Sequence, residues 1–211
     1  MEQQPTRAKQ RPRRRLRARI LPILGYVIVV FGLAWFLELR MPTTVIFVRH
    51  ADTDTAMDQG GDPPLNAEGR ARAEALADFL RDIDVTASVD AIYASIARRT
   101  QQTAEPLAKR LGLEIEIADP YDVERFMGRV LREHTGDIVL IVSHSDTIAP
   151  LIDELHGHQN LPQIAPDEYD NVYIITISRF GKVKTLRVHY GQPRPALGLS
   201  GGGSTTLTAP R

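Results

Sequence analysis

The chain has no cysteine among its 211 residues. Disulfide staples, thiolate metal sites and a thiol nucleophile are therefore excluded, whatever the redox compartment, and the fold has to rest on apolar burial. Net charge is missing as well, with 26 Lys+Arg against 26 Asp+Glu, yet the zero is a sum of unlike parts. Residues 1–40 carry 9 basic against 2 acidic groups, and residues 191–211 carry 2 arginines and no acid. That leaves 15 basic against 24 acidic groups in residues 41–190, a net of −9, which argues against nucleic acid as a partner of that region. There is no internal repeat, and the length suits one domain of about 100–200 residues with appendages.

The N-terminal basic run, Arg11, Arg13, Arg14, Arg15, Arg17 and Arg19, leads into residues 20–37, which carry no charge. As a helix this stretch spans roughly 27 Å, enough to cross a bilayer. A cleaved signal peptide has an apolar region of about 7–15 residues and a small-x-small exit. Here the exit reads Leu37-Glu38-Leu39-Arg40-Met41 and offers none. The expectation is a basic cytoplasmic tail over 1–19, a transmembrane helix over 20–39 and a catalytic domain on the periplasmic or extracellular side, because basic residues before a span stay cytoplasmic. Tyr26 and Trp35 suit the membrane interface.

Between residues 42 and 190 short apolar runs alternate with amphipathic stretches, the pattern of an α/β domain. Strands are predicted over 44–48, 91–94, 113–117 and 138–142, with a closing hairpin of 172–177 and 183–188. Helices are predicted from Asn66 as N-cap through Leu76, Phe79, Leu80 and Ile83; along Thr100, Thr103, Ala104, Leu107, Ala108 and Leu111 to a left-handed Gly112; over Val123 to Leu131; and from Ile148 to Leu155. The predicted architecture is a three-layer sandwich, a mainly parallel central sheet flanked by helices and preceded by the single membrane helix. Residues 191–211, rich in Gly, Pro and Ser, have linker composition.

Arg49 and His50 follow the first strand, and His144 follows the uniformly apolar strand 138–142. Ligands of open α/β sheets bind outside the carboxyl ends of strands, so both histidines can meet over one crevice. Each alone is more often a structural residue. A third element, Ser95-Ile96-Ala97-Arg98-Arg99-Thr100-Gln101-Gln102-Thr103-Ala104, leaves another strand end, and Arg99 neighbours the apolar row of its helix whereas Arg98 turns away.

Taken in order, Arg49-His50, the Ser95 to Ala104 segment and His144 resemble the histidine phosphatase superfamily, the phosphoglycerate-mutase-like proteins. Their marks are Arg-His-Gly-x-Thr, Ser-x-x-x-Arg-x-x-Gln-Thr-Ala and a later His after an apolar strand. The resemblance covers residues 44 to about 190. It implies that His50 is the phosphorylated nucleophile, that Arg49, Arg99 and His144 form the phosphate pocket, and that Thr53 adds a hydroxyl. Ser145 and Asp146 begin a helix, where backbone N–H groups can also face phosphate. It implies no metal and no cofactor, with a phosphorylated small molecule or phosphoprotein as substrate.

Two departures stand out. Ala51 replaces the glycine after Arg-His, and no glutamate aligns as proton donor, leaving Asp52, Asp146, Asp122 and Glu124 as candidates. Without a donor, a phosphate-binding or scaffolding module that lost the chemistry is the alternative. The loop over 52–64 is the expected selector of substrate, since it leaves the nucleophile directly. Residues 167–171 read as a solvated turn or a rim of the crevice, and His156-Gly157-His158 as exposed histidines rather than a metal pair.

Overall fold

A computed structural model of the protein describes residues 13–38, 41–54, 61–82, 88–157, 164–165, 167–178 and 181–191. Five helices, α1 (Arg13–Glu38), α2 (Ala67–Asp82), α3 (Arg98–Leu111), α4 (Val123–Glu133) and α5 (Ser145–Glu154), alternate with six strands. These are β1 (Thr43–Arg49), β2 (Ala91–Ala94), β3 (Ile115–Ile117), β4 (Ile138–Ser143), β5 (Asn171–Ile177) and β6 (Val183–His189). They form one sheet in the order β3-β2-β4-β1-β5-β6.

The sheet is mixed. β1, β2, β3 and β4 run parallel, while β5 lies antiparallel on β1 and β6 antiparallel on β5. The terminal hairpin thus covers the open edge of β1 and makes it an interior strand, which suits its uninterrupted burial from Val45 to Arg49. Side chains alternate across it. Val45 and Phe47 join Met127, Val130, Leu151 and Ile152 on the α4/α5 face. Ile46 and Val48 join Leu76, Leu80, Ala104 and Leu107 on the α2/α3 face. The period of two in the strand therefore divides its apolar residues between two cores, giving three layers.

The helix signals act as their chemistry dictates. The Asn66 side chain accepts from the Gly69 N–H at 2.7 Å, capping α2. Gly112 takes the left-handed conformation, φ 69°, at the end of α3. The next N–H, of Leu113, returns to the Ala108 carbonyl at 3.0 Å and so closes the helix instead of entering a strand, which is why β3 begins only at Ile115 and not at 113.

The N-terminal helix begins earlier than expected: α1 starts at Arg13, inside the stretch expected as a basic tail, and arginine's good helix propensity permits this. Among the described residues no helix is long and apolar enough to cross a membrane. The described side chains of α1 run only from Pro22 to Phe36, and all of them are exposed. Residues 1–12, 192–211, 55–60 of the substrate-selecting loop, Ile83 and His158 lie outside the described residues.

Candidate active site

The site is built where β1, β4 and β2 end together. Arg49 pairs with Ser143 and Ala94 with Val142 in the parallel ladders, so His50, His144 and Ser95 leave three neighbouring strand ends. The His50 N–H continues the ladder to the Ser143 carbonyl at 2.9 Å. The two imidazoles stand edge to face, 5.5 Å between centroids, both buried.

Partners fix the tautomers. His50 Nδ1 lies 2.8 Å from the Ala51 carbonyl oxygen, which can only accept, so Nδ1 carries the hydrogen and Nε2 the lone pair. A guanidinium N–H of Arg99 reaches His144 Nδ1 at 3.4 Å, so that nitrogen accepts and Nε2–H donates to Ser95 Oγ at 2.9 Å. Ser95 Oγ then donates to Thr100 Oγ1 at 2.9 Å, and Thr100 Oγ1 to the Ala97 carbonyl at 2.7 Å. The first turn of α3 therefore holds the ring that faces the nucleophile.

Burial is the main reason that His50 is lowered from 6.5 to about 4; Arg99, Arg49 and His144 add to this, and the bond to Ala51 opposes it. The two guanidiniums thus act in the same direction as burial but rank behind it. His144 is lowered as well, again first by burial and then by Arg99. Both rings are thus neutral at physiological pH, and His50 Nε2 is available as a base or nucleophile.

Arg49 is buried, and its Nη1 donates to the carbonyls of Ala165 and Glu168 at 2.9 and 3.2 Å. Arg99 is part-exposed and turned toward His144, with its other amine 3.6 Å from Asp62, whereas Arg98 is exposed. The remaining motif residues support the loop after the nucleophile. The buried Ala51 N–H donates to Thr103 Oγ1 at 2.9 Å, and Thr103 in turn donates to the Arg99 carbonyl at 2.7 Å. Gln102 accepts from the Leu65 N–H at 2.9 Å.

The other expected residues are less central. Thr53 bridges to Leu65 in a short antiparallel contact and its carbonyl accepts from Asn66. Ser145 opens α5, half-buried. Asp52 is engaged by Arg72 Nε at 2.5 Å. Exposed Asp146 accepts from the Tyr121 hydroxyl at 3.2 Å. Asp122 and Glu124 belong to the exposed start of α4.

Sequence reasoning offered residues 167–171 as a turn or a rim of the crevice without singling out Tyr169, whose ring lies 6.0 Å from that of His50 and 4.1 Å from the Arg49 Cζ. It likewise named the loop over 52–64 but not its Asp62, which accepts from the Arg98 N–H and sits beside Arg99. Neither belongs to a local pattern. Among the described residues, Glu168, Asp170 and His189 are grouped closely enough to suggest a metal site, their ligand atoms within 4.8 Å of one another. Arg187 pairs with Glu168, and His189 Nδ1 lies 3.4 Å from Asp170, so the group reads as an ion-pair network.

Two buried imidazoles, of which His50 keeps an unengaged Nε2 lone pair, flanked by two arginines at the carboxyl end of a parallel sheet, are an arrangement able to receive an anion beside a nucleophilic nitrogen. Residues 45–120 match the histidine phosphatase superfamily (branch 1). That segment holds His50 and Arg99, while His144 lies beyond it. No curated protein sequence matches the chain.

Solved structures share the fold. The protein histidine phosphatase SixA complexed with tungstate is 19% identical, with a TM-score of 0.56 over 69% of this chain and 96% of that one. A mycobacterial glucosyl-3-phosphoglycerate phosphatase is 16% identical, TM-score 0.55, over 71% and 98%. A mycobacterial hydrolase is 15% identical, TM-score 0.53, over 70% and 97%. These likenesses show a shared fold, and the superfamily match covers residues 45–120 of the chain.

Proposed function

We propose that residues 42–190 form a metal-independent phosphatase that hydrolyses a phosphomonoester or a phosphoprotein through a phosphohistidine on His50. The observation carrying this is the tautomer of His50, with Nδ1–H held by the Ala51 carbonyl so that the Nε2 lone pair is free. In the first step Nε2 attacks phosphorus, the P–N bond forms as the ester P–O bond breaks, and the leaving oxygen takes a proton. In the second, water attacks phosphorus, the P–N bond breaks, the water's proton is released and inorganic phosphate leaves. Arg49, Arg99 and His144 hold the phosphoryl oxygens and offset the charge that shifts during transfer.

Purified full-length protein in detergent should release phosphate from an aryl phosphate with a chelator present and form an acid-labile phosphoryl label. His50→Ala should lose both. Retained turnover in that variant would end the proposal. The second reading, a phosphate-binding module without chemistry, draws on the engagement of Asp52 by Arg72, which leaves the donor of the leaving-group proton unassigned. Tight phosphate binding without label or turnover would favour it.

We also propose that residues 20–39, of which only the side chains of 22–36 are described, form a helix that crosses a lipid bilayer, with the N-terminus cytoplasmic and the domain exported. Support comes from the uncharged stretch 20–37, the continuous helix Arg13–Glu38 and the exposure of Ile23, Tyr26, Phe31 and Trp35 on it. Protease added to spheroplasts should digest the domain; its protection there would overturn the orientation.

A further inference from the structure

We propose that Tyr169 is a positioning residue of the phosphate pocket, its ring fixing the plane of the Arg49 guanidinium beside His50. The inference rests on the reading of the pocket as a phosphoryl site. An arginine side chain loses much rotamer freedom when immobilised, so a guanidinium that must meet a phosphoryl group in one orientation gains from being held in advance.

Arg49 is held from two directions. Its Nη1 is tied to the Ala165 and Glu168 carbonyls, which fixes one end of the group. The Tyr169 ring lies against its face with Cζ 4.1 Å from the centroid, which fixes the plane. Arg72 approaches the same ring at 6.0 Å, and the pair it makes with Asp52 places that arginine beside the loop that follows the nucleophile.

Tyr169 is itself fixed. Its carbonyl accepts from the Tyr190 hydroxyl at 3.1 Å, and the next carbonyl, of Asp170, accepts from the Tyr190 N–H at 3.1 Å. On the other side, Glu168 accepts from the Ala165 N–H at 3.1 Å and pairs with Arg187. Tyr190 is buried, 6.0 Å from Phe79. Tyr169 is thus held by its neighbours on both sides and presents one aromatic face to Arg49. Tyr169 is only half-buried, which separates it from the core aromatics Tyr93 and Tyr173.

The test uses the full-length protein in detergent, inorganic phosphate as the titrated ligand, and an aryl phosphate for turnover. Tyr169→Phe, which keeps the ring, should bind phosphate within twofold of the unaltered protein. Tyr169→Leu and Tyr169→Gln should raise the phosphate Kd and the KM by about tenfold while melting within a few degrees of the unaltered protein. Two non-aromatic variants guard against one failing to fold. Phosphate affinity unchanged in both, or lost equally in Tyr169→Phe, would overturn the inference. Unaltered protein that binds phosphate without turning over substrate would sink the phosphatase reading while the Tyr169 comparison stays decisive; protein that binds no phosphate overturns both.

Discussion

Arg49 and Ser143 form the last rung of the β1–β4 ladder, and the residue after each is a histidine. Parallel pairing aligns the strand ends in register, so the spacing of the two imidazoles follows from the sheet and does not depend on loop conformation. The 2.9 Å bond from the His50 N–H to the Ser143 carbonyl carries the register one residue further.

The pH response follows from burial. The unfolded His50 titrates near 6.5 and the folded one near 4, so between these values the unfolded state binds more protons and stability rises with pH. Stability should fall as pH drops from about 6.5 to 4, by roughly 2–3 kcal/mol for this group. Denaturant midpoints of the unaltered protein and His50→Asn over that range measure it. The variant should show a shallower slope, and equal slopes would contradict the assignment.

Thr103→Val keeps the shape of a buried side chain but removes the acceptor of the Ala51 N–H. A buried donor left without its partner costs about 1–3 kcal/mol. Urea unfolding should show that loss, and turnover should drop because the loop bearing the nucleophile is released. Thr103→Ser should recover most of both.

At Gly69 an added Cβ would lie 2.0 Å from the Asp52 carbonyl oxygen, and backbone cannot yield as a side-chain tip can. Gly69→Ala is expected to cost about 1–3 kcal/mol or more by overpacking, despite alanine's better helix propensity. Thermal melts would read it. A neutral or stabilising result would mean that α2 does not pack this closely on the loop.

Ser95→Ala removes the acceptor of His144 Nε2–H. The ring then loses the partner that anchors its Nε2–H, and kcat/KM for an aryl phosphate should fall roughly tenfold, about 1.4 kcal/mol of transition-state stabilisation. Imidazole nitrogen shifts of His144 by NMR should change in parallel. Unchanged shifts would show that Ser95 does not hold the ring.

Much of this was legible in the sequence because it is periodic. The apolar runs of β1 and β4, the buried row from Thr100 to Ala108 and the left-handed Gly112 each announce themselves locally. Tyr169 does not, since its partner Arg49 is far away in the chain and nothing in Asp167-Glu168-Tyr169-Asp170 specifies an arginine. Gly69 was equally silent: its need for a missing side chain comes from Asp52, on a separate element. The short β3 reflects a contest for the Leu113 N–H that apolar pattern does not record.

The direction of β1 sets where chemistry happens along the molecule. Only residues 39–42 separate α1 from Thr43, a leash of roughly 15 Å at full extension. Seven residues of strand, about 23 Å, then run to Arg49. Whatever grips the helix meets the pole of the domain opposite the nucleophile, so a bulky phosphorylated partner can reach the pocket without competing for room with whatever holds α1.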